Sequence, residues 1–166
     1  RPFRIINNLN KNKMSTESKF YEDFEIGESY MTAARTITET DIVVHAMHSG
    51  DWQPHHTNEE FAKEQPFKHR IAHGNLTFCV STGLIFQAGK PNPNIMAYGY
   101  NKIRYPHPVF AGDTIKTEVK IADKQPHPKH KTHGLLTQTE TTTNQRGETV
   151  AFVEHILYAT RRNPAE

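Results

Sequence analysis

The stretch Asn75-Leu76-Thr77-Phe78-Cys79-Val80-Ser81-Thr82-Gly83-Leu84-Ile85-Phe86-Gln87-Ala88 decides the fold. Leu76, Phe78, Cys79, Val80, Leu84, Ile85, Phe86 and Ala88 fall on nearly every side of a helix drawn through it, and Gly83 permits close approach. A helix that is apolar all round is buried, not laid on a surface. Pro91 and Pro93 end it. Something must then wrap around this helix.

Downstream the period changes from helical to alternating. Ile95–Tyr105 reads as a strand closed by Pro106 and Pro108. Ile115, Thr117, Val119 and Ile121 alternate with Lys116, Glu118 and Lys120, the pattern of a half-buried strand. Gly134–Thr143 is threonine-rich and breaks at Asn144–Gly147, a hairpin connection, before a last strand over Val150–Ala159. Upstream, Tyr21–Gly27 is a lead-in ending in a turn, and Ser29–Ile37 is a short strand. Thr38 with Asp41 three residues on has the spacing of a helix start. Ile42, Val43, Ala46 and Met47 then give that helix one buried face, and Ser49-Gly50-Asp51 stops it. Residues 50–73 are an irregular excursion carrying a short helix over Asn58–Glu64. The order implies an α+β domain, an antiparallel sheet wrapped around one central helix.

The size agrees with one domain, at 166 residues and 19.0 kDa. Residues 1–13 hold Arg1, Arg4, Lys11 and Lys13 with no acid, and Met14 follows. They read as a leader or expression remnant, or as the end of a basic organelle-targeting sequence. The domain is then expected over residues 14–166. The net charge of +2 depends on those four cations, and 16 basic against 18 acidic residues leave −2 without them. That balance excludes strong whole-chain steering to nucleic acid or to an anionic membrane. Cys79 is the one cysteine, so no internal disulfide or cysteine-rich zinc site is available and a reducing compartment is expected. No apolar run has the length of a membrane span. The expected location is the cytoplasm, or an organelle matrix if the basic stretch is a targeting remnant.

Two motifs carry chemistry. Ser49-Gly50-Asp51-Trp52-Gln53-Pro54-His55-His56 sets a carboxylate and an imidazole five positions apart on a loop stiffened by Pro54. Such a pair suits acid–base work. Taken alone, Asp51 reads more readily as a loop cap or turn residue and the histidines as exposed polar groups. Arg70-Ile71-Ala72-His73-Gly74-Asn75 leads into the buried helix. Gly74 leaves the first N–H groups of that helix open to a ligand oxygen, and the helix dipole favours negative charge there. Taken alone, it is also simply a tight approach to the helix.

Together and in this order, Gly50-Asp51-x-x-Pro54-x-His56-x5-Ala62 and Ala72-His73-Gly74 before a buried helix resemble the MaoC-like (R)-specific enoyl-CoA hydratases. The resemblance covers roughly residues 20–160 and extends to Pro108-Val109-Phe110-Ala111-Gly112-Asp113. It implies the hot-dog fold, a sheet rolled around one long helix, and a homodimer or higher homo-oligomer. It also implies Asp51 and His56 as the catalytic pair and the Gly74 amide as oxyanion donor. Gln53, His73, Asn75, Thr82 and Arg70 are then expected around an acyl-CoA substrate, with no metal and no cofactor beyond the coenzyme A of the substrate. Thr82 stands where many members have a supporting serine, and Gln53 where they have asparagine. His55 takes a position that is usually aliphatic and is given no role.

Two other hot-dog outcomes stay open from the residues. A thioesterase would need an acid near the start of the central helix, where Asn75 and Thr77 stand instead. A non-catalytic acyl-CoA-binding module is the other. Lys68, His69 and Arg70 read either as a solvated basic loop or as a contact for coenzyme A phosphates. His45 and His48 lack matched third and fourth metal ligands, and His127, His130 and His133 read as a solvated hairpin tip.

Overall fold

The computed structural model describes residues 18–89 and 91–164, so the leader expected over 1–13 lies outside the described residues. Strands β1 (Ser29–Met31) and β2 (Arg35–Thr36) precede helix α1 (Glu39–Ser49). Short helices α2 (Pro54–Thr57) and α3 (Glu59–Lys63) occupy the excursion, and α4 (Gly74–Ala88) is the long helix. Strands β3 (Ile95–Arg104), β4 (Thr114–Pro126), β5 (His133–Thr143) and β6 (Thr149–Thr160) follow. The sheet runs β1-β4-β5-β6-β3, antiparallel at each pairing, with β2 also on β4. This is the α+β hot-dog arrangement expected.

The alternation in β4 places Ile115, Thr117, Val119 and Ile121 on the buried face and Lys116, Glu118 and Lys120 in solvent. One apolar cluster joins Leu76, Val80 and Leu84 of α4 to Ile42 of α1 and to Ile37, Val109, Ile115 and Val150. Each fully buried aliphatic side chain of this kind stabilises the fold by about 1.5–3 kcal/mol. A second cluster gathers Leu136, Leu157 and Ala159 under Tyr21, which sits on a 3₁₀ turn over Tyr21–Asp23.

Three local readings are corrected. The single strand over Ser29–Ile37 is two strands. Thr32 donates its backbone N–H to Thr117 O (2.9 Å), and its own hydroxyl accepts the Thr117 N–H (2.9 Å). A side chain thus takes the place of a ladder carbonyl, and the chain bends there. In α1 only Ile42 and Ala46 are buried, while Val43 and Met47 face solvent, so the packed face is one narrow stripe. The central helix is not enclosed on all sides within one chain. Asn75, Cys79, Thr82 and Phe86, at helical spacing, form an exposed line along it.

Candidate active site

Three chain segments meet at the start of α4. The first is the end of α1. The capping box of Thr38 and Asp41 starts that helix, and Gly50, with φ +74°, ends it by donating its N–H to Ala46 O. A left-handed residue at this point is most easily a glycine. The chain turns at once into Asp51, whose N–H is held by Ser49 Oγ (3.2 Å) and whose Oδ1 accepts from Gln53 N–H (3.3 Å).

The second segment is α2. Pro54 occupies its first turn, where the missing N–H costs nothing, and places His56 inward. His56 is buried and its Nδ1–H donates to Ile71 O at 2.7 Å. A carbonyl only accepts, so the proton sits on Nδ1 and Nε2 carries a free lone pair. Burial holds this imidazole below its ordinary value of 6.5, with the neighbouring His73 and His55 rings adding to the effect and the Ile71 carbonyl opposing it. His56 is thus kept as a neutral base.

The third segment is the approach to α4. His73 is 2% exposed and donates Nε2–H to Asp51 O at 3.0 Å, which leaves its Nδ1 buried without a partner among the described residues. The rings of His45, His73, His56 and His55 follow one another with centroids 4.7, 3.8 and 4.0 Å apart. A carboxylate oxygen of Asp51 and one ring nitrogen each of His56 and His73 lie within 4.8 Å of one another. Such a set has the composition of a metal site. The His56 and His73 rings are stacked with 27° between their planes.

Gly74 opens α4, and no side chain caps that end, so its first N–H groups are available to an oxygen. The glycine also has a packing reason. A Cβ there would come 2.6 Å from Cε2 of Tyr105. The Tyr105 hydroxyl in turn donates to Asn75 Oδ1 at 3.3 Å.

The structure therefore brings Asp51, His56, His73 and Gly74 together, with Asn75 beside them. Gln53 contributes backbone to the loop, and its side chain is exposed. Thr82 lies eight residues along α4 from Gly74, about 12 Å at 1.5 Å per residue, on the exposed line, and it bonds Phe78 O at 3.0 Å. Within one chain it does not join the cluster. Arg70 has a different set of partners from the phosphates expected. Its guanidinium bonds Glu39 (2.7 Å) and Glu59 (3.1 Å), tying α1 and α3 to the approach to α4, so its charge is balanced inside the chain. Sequence reasoning weighed His45 only as a metal ligand and gave Tyr105 no role. Their only signals were a histidine about one turn from the end of α1 and an aromatic just after a strand.

Residues 23–144 match the family model described as MaoC like domain. The chain is 35% identical over 122 residues to the Protein MaoC of Klebsiella aerogenes, covering 74% of this chain but only 36% of that protein, so it spans about a third of that relative's length. It is 34% identical over 110 residues to the (R)-specific enoyl-CoA hydratase of Rhodospirillum rubrum, covering 66% of this chain and 74% of that one. Among solved structures, a MaoC-like dehydratase from Rhodospirillum rubrum superposes with a TM-score of 0.78 at 27% identity, over 87% of this chain and 99% of the other. The unliganded R-hydratase from Pseudomonas aeruginosa gives 0.69 at 27% identity, over 90% and 93%.

Proposed function

The chain belongs to the family of MaoC-like domains, and from that premise we propose that it hydrates trans-2-enoyl-CoA thioesters reversibly to (R)-3-hydroxyacyl-CoA. The observation that carries the reading is the meeting of Asp51, the bare Nε2 of neutral His56 and the uncapped start of α4 at Gly74. In the proposed reaction the thioester carbonyl accepts a hydrogen bond from the Gly74 N–H. This polarises the conjugated double bond. Asp51 and His56 hold one water and take a proton from it as its oxygen bonds to C3. The electron pair of the C2–C3 double bond moves to the thioester oxygen, where the helix start stabilises the charge. A proton returned to C2 restores the carbonyl. Water is added as one proton and one hydroxide, with no change of redox state, so the reaction as written calls for no cofactor. The reverse direction expels the hydroxyl of the 3-hydroxyacyl-CoA as water.

The protein is further proposed to work as a homodimer. Two open features support this: the line Asn75, Cys79, Thr82 and Phe86 on α4, and edge strand β3 with its exposed Met96 and Tyr98. In a dimer Thr82 would stand close to the subunit contact.

The test is hydration of crotonyl-CoA, followed as loss of the conjugated enoyl-thioester absorbance. Asp51→Asn and His56→Ala should each lower the rate by about 10²–10⁴ with folding intact. Unchanged hydration in both variants would sink the proposal. Release of free thiol from saturated acyl-CoA without hydration would mean a thioesterase, and acyl-CoA binding with no turnover in the parent would mean a binding module.

A further inference from the structure

Away from the active site, the concave face of the sheet carries a polar belt between its two apolar clusters. The strand register lines up one row as Tyr30, Val119, Glu140, Val153 and Ile103 across β1, β4, β5, β6 and β3. The adjacent row is Ile121, Gln138, His155 and Tyr100. Glu140 is 2% exposed in a row otherwise made of Val, Val, Ile and a tyrosine. Its Oε1 accepts from Gln138 Nε2 and from His155 Nδ1, both at 2.9 Å. The other nitrogen of His155, Nε2, is buried and has no partner among the described residues.

A buried carboxylate hydrogen-bonded to an imidazole is a poor means of stabilising a sheet. Apolar side chains of the same volume do as well or better, and an unpaired buried nitrogen adds a further cost. The belt needs another reason. It is not sealed, because Tyr30 and Tyr100 at its two margins remain 38% and 40% exposed. It is also joined to the candidate active site. The Tyr100 ring stacks on His155 at 4.4 Å and meets the edge of Phe78 at 5.2 Å, and Phe78 stands one turn along α4 from Gly74. The Phe78–Tyr100–His155 contacts thus link the start of α4, where the thioester would be held, to the belt, and an acyl chain following them would meet it with its remote carbons.

We propose that Glu140, His155, Gln138 and Tyr100 form a specificity site for an acyl chain that carries a hydroxyl group remote from the reacting double bond. This rests on the enoyl-CoA hydratase reading. Glu140 already takes the His155 Nδ1–H and the Gln138 amide, so the belt favours a neutral group over a second carboxylate. A plain methyl end would leave His155 Nε2 unpaired. A hydroxyl, which can donate or accept, gives it a partner.

The experiment is a series of trans-2-enoyl-CoAs of increasing length, each made with a methyl, hydroxyl or carboxylate end, together with calorimetric binding of the saturated analogues. At the best length the hydroxyl end should exceed the methyl end by about tenfold or more in kcat/KM, as expected where a site built to hydrogen-bond a substrate meets an analogue lacking that group. The paired substitution Glu140→Leu with His155→Phe removes both hydrogen-bonding partners together and should erase that preference. His155→Gln, which keeps a donor for Glu140, should reduce it and serves if the double variant does not fold. Equal rates for hydroxyl and methyl ends, a better rate for the carboxylate end, or a preference that survives both variants would overturn the assignment. If the parent hydrates no enoyl-CoA, the hydratase reading has failed. The belt is then judged by binding alone: at least tenfold tighter binding of the saturated hydroxyacyl-CoA supports it, and equal binding overturns it.

Discussion

Replacing Gly74 by alanine tests the start of α4 in two ways at once. The added methyl would stand 2.6 Å from Tyr105 Cε2 and 2.7 Å from Cδ2, where ordinary contact begins at 3.4 Å. Something must move by about 0.8 Å. Tyr105 is 40% exposed, so its ring can give part of the way, and the stability cost should be near the lower end of the 1–3 kcal/mol usual for overpacking. The catalytic cost should be larger. An oxyanion donor works at 2.7–3.1 Å, and misplacement by about 1 Å costs on the order of a hundredfold. Gly74→Ala should therefore lower kcat for crotonyl-CoA by about 10² while the melting temperature falls by a few degrees. Tyr105→Ala removes the ring atoms concerned, so combining the two substitutions should restore most of the rate lost in Gly74→Ala. The assay is a double-mutant cycle on kcat and on unfolding free energy. Simple additivity of the two substitutions in kcat would refute the claim that the Tyr105 ring is what requires a glycine there.

Three other outcomes follow from the same structure. Because burial holds His56 below 6.5 in the folded chain, the unfolded chain binds more protons just below that pH. Stability should fall as pH drops from about 6.5 towards the folded value and level off beneath it, and the acid limb of kcat/KM should have its midpoint below 6.5; a midpoint above 6.5 would contradict a buried neutral base. Arg70→Met should lower the melting temperature, with about 1 kcal/mol lost from two partly exposed pairs, whereas a raised KM with unchanged stability would return Arg70 to phosphate binding. Phe86→Glu, on the exposed line of α4, should shift the chain to monomer in sedimentation velocity, and a dimer unaffected by it would place the subunit contact elsewhere.

The elements that the sequence makes legible are those whose side chains repeat with one period. β4 was readable because alternate residues meet core and solvent, and α4 was readable as a helix from its long apolar run, although that run overstated its burial, since Cys79 and Phe86 are exposed. What escaped depends on contacts that no local period encodes. The bend between β1 and β2 comes from one hydroxyl, that of Thr32, standing in for a backbone carbonyl. Val43 and Met47 have the spacing of a buried face, yet α1 rests on the core by Ile42 and Ala46 alone. Asp51 and His56 were legible because both lie on one short loop, and Gly74 because it opens a helix. His45 and Tyr105 come to the site only when the chain closes. Arg70 misleads because its basic neighbours are local while the carboxylates that neutralise it are 11 and 31 residues away. Glu140 and His155 gave no signal at all, since Thr137-Gln138-Thr139-Glu140-Thr141 reads as any polar strand until the register turns Glu140 inward.

His73 explains how groups from three segments act at one point. Its ring holds the backbone carbonyl of Asp51, stacks on the base His56, and belongs to the residue whose peptide leads into the Gly74 amide. The positions of Asp51, His56 and the Gly74 amide are thus linked through one buried side chain, with the hydrogen-bonded nitrogen of each histidine set by a backbone carbonyl that cannot donate. In the proposed reaction His56, held below its ordinary value by burial, takes a proton from water with Asp51, while charge developing on the thioester oxygen is met by the start of α4 at Gly74. That division would separate the two tasks, proton transfer on the loop and charge stabilisation on the helix.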